Sequence, residues 1–262
     1  MKVDVLGVQI DNVDKTEAIK QIADFVDSNR PHYVVTPYSE MIVFATNDSE
    51  YKKFLNSADL SLPDGIGILW AAKYLHAKVS LLGSLLSIIF NRNSLKTVIR
   101  EQVMGSRFIY DIASLAEERN FSLALVGGTD NVAAQSAYEL KKLYPNLKVN
   151  LALSGFPAFN AQIVKEIADS NSDILILAYS PPKQEAWIAQ NLPNLNVKAA
   201  IGLGGTFDYL AKKHPAPPQI WHSLGLSWLW RLITQPRRAK RIWNAVPVFI
   251  WKVYKYKHNH HA

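Results

Sequence analysis

The side chains best suited to chemistry stand where apolar runs give way to Gly, Pro or polar clusters. Asp64 sits in a Pro63-Asp64-Gly65 turn between an apolar run and a helical pattern. A carboxylate there can project into a ligand crevice as a general base. It can equally cap the helix that follows. Thr36 and Tyr38 flank Pro37 at the end of another run. Gly127-Gly128-Thr129 and Gly202-Leu203-Gly204-Gly205, the latter leading to Asp208, do not match the dinucleotide fingerprint. Both still let backbone amides approach a phosphate at a helix start. At one sheet edge they suggest a nucleotide diphosphate. Pro181-Pro182-Lys183-Gln184-Glu185 adds a rigid turn, a cation, an amide and a carboxylate. Sugar hydroxyls and a base edge are its plausible ligands, and an ordinary surface helix start is the alternative.

The elements that must position these groups alternate. Apolar strand patterns fall at residues 3–8, 33–36, 60–62, 122–126, 148–153, 174–178 and 199–201. Helical periodicity occupies 15–28, a stretch opening at 39, then 66–75, 108–119, 131–143, 161–170 and 183–191. This rhythm predicts an α/β fold, a Rossmann-like and mostly parallel sheet with helices on both faces. Ligands of such sheets bind beyond the carboxyl ends of the strands, where the candidate loops lie.

Charge divides the chain. From Tyr209 to the end there is no Asp or Glu but ten Lys or Arg, leaving 19 basic against 22 acidic residues in the first 208. Five of the seven tryptophans lie in the same tail. The division predicts a catalytic body over residues 1–208 and a basic, amphipathic helical appendage over 209–262. Basic residues mixed with Trp and bulky aliphatics fit a helix lying on an anionic membrane surface. A helix packed on the body with a solvated basic face is the competing reading. The tail is more apolar than a phosphate-tracking arm, so nucleic acid is not the expected partner. A second unusual stretch, residues 79–90, is almost wholly apolar and is followed by Arg92, Lys96 and Arg100. It is too short to span a bilayer. A buried helix or hairpin, a membrane-dipping insertion over about 79–100, and an oligomer contact all remain open. No secretory leader and no long apolar span are visible, and the chain has no cysteine.

No Asp-x-Asp, Walker A, Gly-x-Ser-x-Gly or His-Glu-x-x-His occurs. What is present, in order, is Thr36-Pro37-Tyr38-Ser39-Glu40-Met41, Leu62-Pro63-Asp64-Gly65-Ile66-Gly67, Leu125-Val126-Gly127-Gly128, Pro182-Lys183-Gln184-Glu185-Ala186-Trp187, residues 202–208, and Gly225-Leu226-Ser227-Trp228-Leu229-Trp230-Arg231-Leu232 with Pro236-Arg237-Arg238 and Arg241. This succession, over residues 3–241, resembles the WecG/TagA/CpsF family of glycosyltransferases. Tyr38 stands where that family usually has Asn, and Ser227 and Gln235 stand where it has Glu.

The resemblance implies an inverting, metal-independent transfer, with no cofactor. The donor would be a UDP-sugar of N-acetylmannosamine or uronic acid type, and the acceptor an undecaprenyl-diphosphate-linked saccharide. It implies Asp64 as general base, Thr36 as its neighbour holding substrate, and Lys183, Gln184 and Glu185 at the donor cleft. Arg231, Arg237 and Arg241 would neutralise diphosphate. It also implies a cytoplasmic enzyme, peripheral on the inner face of a bacterial membrane and able to form homo-oligomers. A catalytically silent, membrane-peripheral binder of UDP-sugar or lipid diphosphate is the alternative that the altered Tyr38 and Ser227 positions leave open.

Overall fold

The computed structural model describes residues 1–155, 161–215, 217–218, 220–221 and 226–260. Gly225, which opens one of the motifs noted above, lies outside them.

The chain opens with a hairpin, β1 (Lys2–Val5) and β2 (Val8–Asp11). Residues 3–8, expected as one strand, instead straddle its turn. Val5 pairs with Val8 across a two-residue loop whose members, Leu6 and Gly7, both have positive φ (55° and 84°). That turn matches the twist of the flanking strands. A leucine in the left-handed region gives no warning in the sequence; here burial of its side chain holds it there.

Then follow α1 (Lys15–Val26), β3 (His32–Val35), α2 (Ser39–Asn47), α3 (Ser49–Asn56), β4 (Leu60–Ser61), α4 (Ile66–His76) and α5 (Leu81–Phe90). The short α3 has no long periodic run to announce it in the sequence; Asp48 caps it by accepting from the Glu50 and Tyr51 amides. The second half holds α6 (Gly105–Arg119), β5 (Ser122–Gly127), α7 (Val132–Leu143), β6 (Lys148–Leu153), α8 (Ala161–Asp169), β7 (Ile174–Ala178), α9 (Lys183–Asn191), β8 (Ala199–Gly202) and α10 (Thr206–Leu210).

β3 to β8 form one six-stranded parallel sheet in the order β4-β3-β8-β7-β5-β6. Alternate residues of its strands enter two different cores. Tyr33, Val35, Leu175 and Leu177 pack with α2, α3, α4 and the hairpin. Val34, Ile174, Ile176 and Ile201 pack with α1, α6, α7 and α10. Burial on both faces is why these strands read as unbroken apolar runs.

Beyond α10 the chain forms α11 (Ser227–Thr234), a 3₁₀ turn (Pro236–Arg238), α12 (Ala239–Trp243), a π-helical stretch (Asn244–Val248) and α13 (Phe249–His260). The wide turn coincides with Pro247, which cannot donate to the helical ladder. This segment is docked on the body: Phe249 and Val253 are buried in the core that contains α4, with Phe249 edge-on to Trp70 at 6.1 Å. Trp243 and Trp251 stay exposed. Among the described residues, no helix is long and apolar enough to cross a membrane.

Candidate active site

A cavity of about 1060 Å³ opens at the carboxyl ends of the sheet strands. Thr36 and Tyr38 reach it from beyond β3, Asp64 from beyond β4, Gly128 from beyond β5, Tyr179 from beyond β7, and Gly204 and Gly205 from beyond β8. The C-terminal helices form its other wall through Arg231, Arg238 and Arg241.

Asp64 does not cap its own helix. The N-cap of α4 is Gly65, at φ 110°, and no side chain bonds the first turn there. The Asp64 carboxylate instead accepts from the amide of Gly105, the first residue of α6. Gly105 is crowded from two sides: a Cβ on it would lie 3.3 Å from Asp64 Oδ2 and 3.6 Å from Thr36 Oγ1. Thr36 in turn donates to the carbonyl of Gly202 at 3.0 Å. Asp64, Thr36 and the start of α6 therefore meet at one point, tied to β8. Burial pushes the Asp64 carboxyl up to about 6, against the opposing pull of Arg231 and the Gly105 amide. Near neutral pH such a group is ionised yet basic enough to accept a proton.

The opposing wall is cationic. Arg231 lies over the Tyr209 ring at 5.6 Å. Arg231 Nε and Tyr209 Oη are both buried and, among the described residues, without a hydrogen-bond partner. Buried donors left in that state mark a place where a polar ligand completes the network. Arg238 reaches toward Gly205, its Nη2 lying 3.7 Å from where a Cβ there would stand. Burial, and the neighbouring charges of Arg241 and Arg231, hold the Arg238 pKa below its ordinary value despite nearby Asp208. Such crowded guanidinium groups favour an incoming anion.

Arg241 is held differently. Its Nε donates to both oxygens of buried Glu40, at 3.2 and 3.1 Å, and its Nη2 donates to Tyr38 Oη at 2.8 Å. Tyr38 Oη donates to Glu40 at 3.1 Å. This triad fastens α12 to α2 and gives the Tyr38 hydroxyl two partners. Arg241 is thereby substantially neutralised, whereas Arg231 and Arg238 retain charge toward the cavity.

Four expected ligand contacts take other positions. Arg237 is exposed and does not line the cavity; its neighbour Arg238 does. Successive residues of a 3₁₀ turn point about 120° apart, so only one of an adjacent pair can face inward. Lys183 is exposed on the outer side of α9. Glu185 is wholly buried beneath the cavity, accepting from Tyr51 Oη at 3.2 Å and Gln184 Nε2 at 2.7 Å. Burial pushes its carboxyl up to about 7. Gly127 also faces away from the cavity: a Cβ there would lie 2.4 Å from the Ala178 carbonyl oxygen, so its role is close strand approach. Sequence patterns alone missed Arg238, Tyr209, and Lys213, which bonds Thr129 at 2.6 Å and Asp130 at 3.1 Å across the cavity edge. The signals available were the Pro236-Arg237-Arg238 motif for Arg238 and, for Tyr209 and Lys213, a place at the start of the acid-free tail.

The model of the glycosyl transferase WecG/TagA/CpsF family matches residues 3–86 and 79–262. The chain belongs to this family. Among its relatives is an N-acetylglucosaminyldiphosphoundecaprenol N-acetyl-beta-D-mannosaminyltransferase of Staphylococcus aureus strain MRSA252, 24% identical over 258 residues. The alignment covers 98% of this chain and 93% of the relative. The counterpart from strain NCTC 8325 matches to the same extent. The protein is thus a glycosyltransferase, and the cavity that collects its family motifs is its candidate active site.

Within this glycosyltransferase, Gln184 clamps two strand ends. Its Oε1 accepts from the amides of Tyr179 at 3.1 Å and Gly204 at 2.9 Å, while Nε2 is engaged by Glu185. Gln184→Ala leaves those two amides unsatisfied. It is expected to cost roughly 3 kcal/mol and lower Tm by about 5–10 °C in a calorimetric scan. The loosened Gly204 loop should also raise KM for the donor.

Proposed function

We propose that the enzyme transfers an N-acetylmannosamine-type or uronic acid sugar from a UDP-sugar to an undecaprenyl-diphosphate-linked saccharide, with inversion and without a metal. One observation carries the reading: a basic carboxylate, Asp64, faces the crowded guanidinium groups of Arg231 and Arg238 across one cavity. Asp64 takes the proton of the acceptor hydroxyl as that oxygen attacks the anomeric carbon. The bond from that carbon to the nucleotide diphosphate breaks on the opposite side. Negative charge growing on the leaving diphosphate meets Arg231, Arg238 and the amides around Gly204 and Gly205. Guanidinium groups thereby do the work of a divalent cation. Thr36, anchored to Gly202, orients the acceptor beside the base.

The names of the Staphylococcus aureus relatives support a lipid-diphosphate acceptor. Such an acceptor brings the enzyme to the inner face of the cytoplasmic membrane as a peripheral protein. Its basic, tryptophan-bearing C-terminal helices suit an anionic surface.

The test is UDP release by purified enzyme with a panel of UDP-sugars, with and without lipid-diphosphate GlcNAc, in the presence of EDTA. Acceptor-dependent release from one donor, undiminished by EDTA, is the expected result. Release that requires added metal overturns the metal-independent route. No release from any donor favours a silent binding protein.

A further inference from the structure

The helix α5 turns an apolar face outward. Leu82, Leu86, Ile89 and Phe90 are all exposed, Leu82 by 69% and Phe90 by 79%. Their spacing places them along one side of the helix. The other side is committed to the body. Ser84 is buried and accepts from Trp70 Nε1 at 3.1 Å, and Leu81, Leu85 and Ile88 pack on the core. Tertiary packing therefore fixes the helix with its outer stripe uncovered. Four large apolar side chains on one exposed helix mark an interaction surface.

Charge identifies what covers it. No acidic residue occurs between Asp64 and Glu101. Lys78 precedes α5, and Arg92 and Lys96 follow it, with both lysines exposed. The stripe is thus bracketed by cations at both ends. In a twofold contact between two copies of α5, either antiparallel or parallel, cationic ends would face cationic ends. An anionic bilayer surface meets both requirements, taking apolar side chains into its interface and Lys and Arg at its headgroups. Position agrees: Ile88 and Arg92 line the same cavity as Ile242, Val246 and Ile250 of the C-terminal run. The cavity mouth is therefore flanked by two acid-free segments.

We propose that α5 is a second membrane-docking element, inserting Leu82, Leu86, Ile89 and Phe90 into an anionic bilayer beside the cavity. The inference stands on α5 itself and needs no turnover for its test. The chain has no cysteine, so Phe90→Cys gives a single attachment point for an environment-sensitive fluorophore. Tyr138→Cys, exposed on α7, serves as the control. With phosphatidylglycerol-containing vesicles, the label at residue 90 should shift to the blue and be quenched by nitroxide lipids, while the label at 138 stays aqueous. In co-sedimentation with the same vesicles, the double variant Leu82→Ser, Phe90→Ser should bind at least about tenfold more weakly at unchanged melting temperature. An aqueous spectrum at residue 90 on vesicles that do bind the protein overturns the proposal. So does full-strength binding by the double variant, or a failure of the protein to bind vesicles at all. A blue shift that grows with protein concentration in the absence of lipid assigns the face to a second copy and likewise overturns it.

Discussion

Asp64→Asn is expected to slow acceptor-dependent sugar transfer by about 10³-fold, within the range for loss of a general base. Asn keeps the size of the side chain and can still accept from the Gly105 amide, so the site stays assembled and only proton acceptance is lost. The pH profile should identify the group. The base must be ionised, and burial pushes its carboxyl up to about 6. For wild type, kcat/KM should therefore fall about tenfold per pH unit below about pH 6 and level off above it. In Asp64→Asn the residual rate should lose that limb. A variant that keeps both the rate and the limb would return Asp64 to the bland task of satisfying the start of α6.

The same carboxyl should make the slower enzyme the more stable one. A carboxyl whose folded-state pKa is raised holds its proton more tightly in the native chain than in the unfolded one, where it titrates near 3.9. The native state keeps its full stability below about pH 4 and loses part of it as pH rises through 6. At pH 7.5 ionised Asp64 costs on the order of 2 kcal/mol, given its partial contact with the cavity. Asp64→Asn removes that cost and should raise Tm by about 4–8 °C at pH 7.5, and by less than half of that at pH 4.5. A gain independent of pH would point to altered packing. The trade of stability for activity is common where a site holds a charge in a dry place.

How much of this could be read from the sequence depends on which physical signal each feature carries. The strands β4, β5, β7 and β8 are buried on both faces, so their apolar runs stand out, and Asp64 (after β4) and Gly204 (after β8) are found by following those runs to their ends. The β1–β2 hairpin is hidden because its turn uses Leu6 where Asn or Asp would announce it. α5 is apolar on all sides, and periodicity cannot say which side a neighbour covers; the Trp70–Ser84 bond decides it. In α9 the motif Lys183-Gln184-Glu185 names three consecutive residues, but a helix rotates about 100° per residue. Gln184 therefore meets the loops, Glu185 goes into the core and Lys183 goes to the surface. Motif spelling records that a segment matters and leaves open which way each side chain faces.

The pair Arg237-Arg238 turns that ambiguity into a measurement. The fold places Arg238 against the Gly205 loop and in the field of Arg231 and Arg241, and leaves Arg237 in solvent. If Arg238 meets charge developing on the departing diphosphate, Arg238→Ala should lower kcat/KM for the donor by about 10²–10³-fold, the loss typical of one such donor. On the proposed UDP-sugar route, UDP should also become a weaker product inhibitor, because the same diphosphate would be bound in the ground state. Arg238→Lys restores the charge but lacks the planar fork that meets two phosphate oxygens, so it should recover only part of the loss. Arg237→Ala should remain within about twofold of wild type, as exposed charges contribute little. The inverse pattern, with Arg237 essential and Arg238 dispensable, would mean that the 3₁₀ turn rotates when substrate binds. The arginine wall would then be assembled by the ligand, and Tyr38, Glu40 and Arg241 would be the hinge about which it moves.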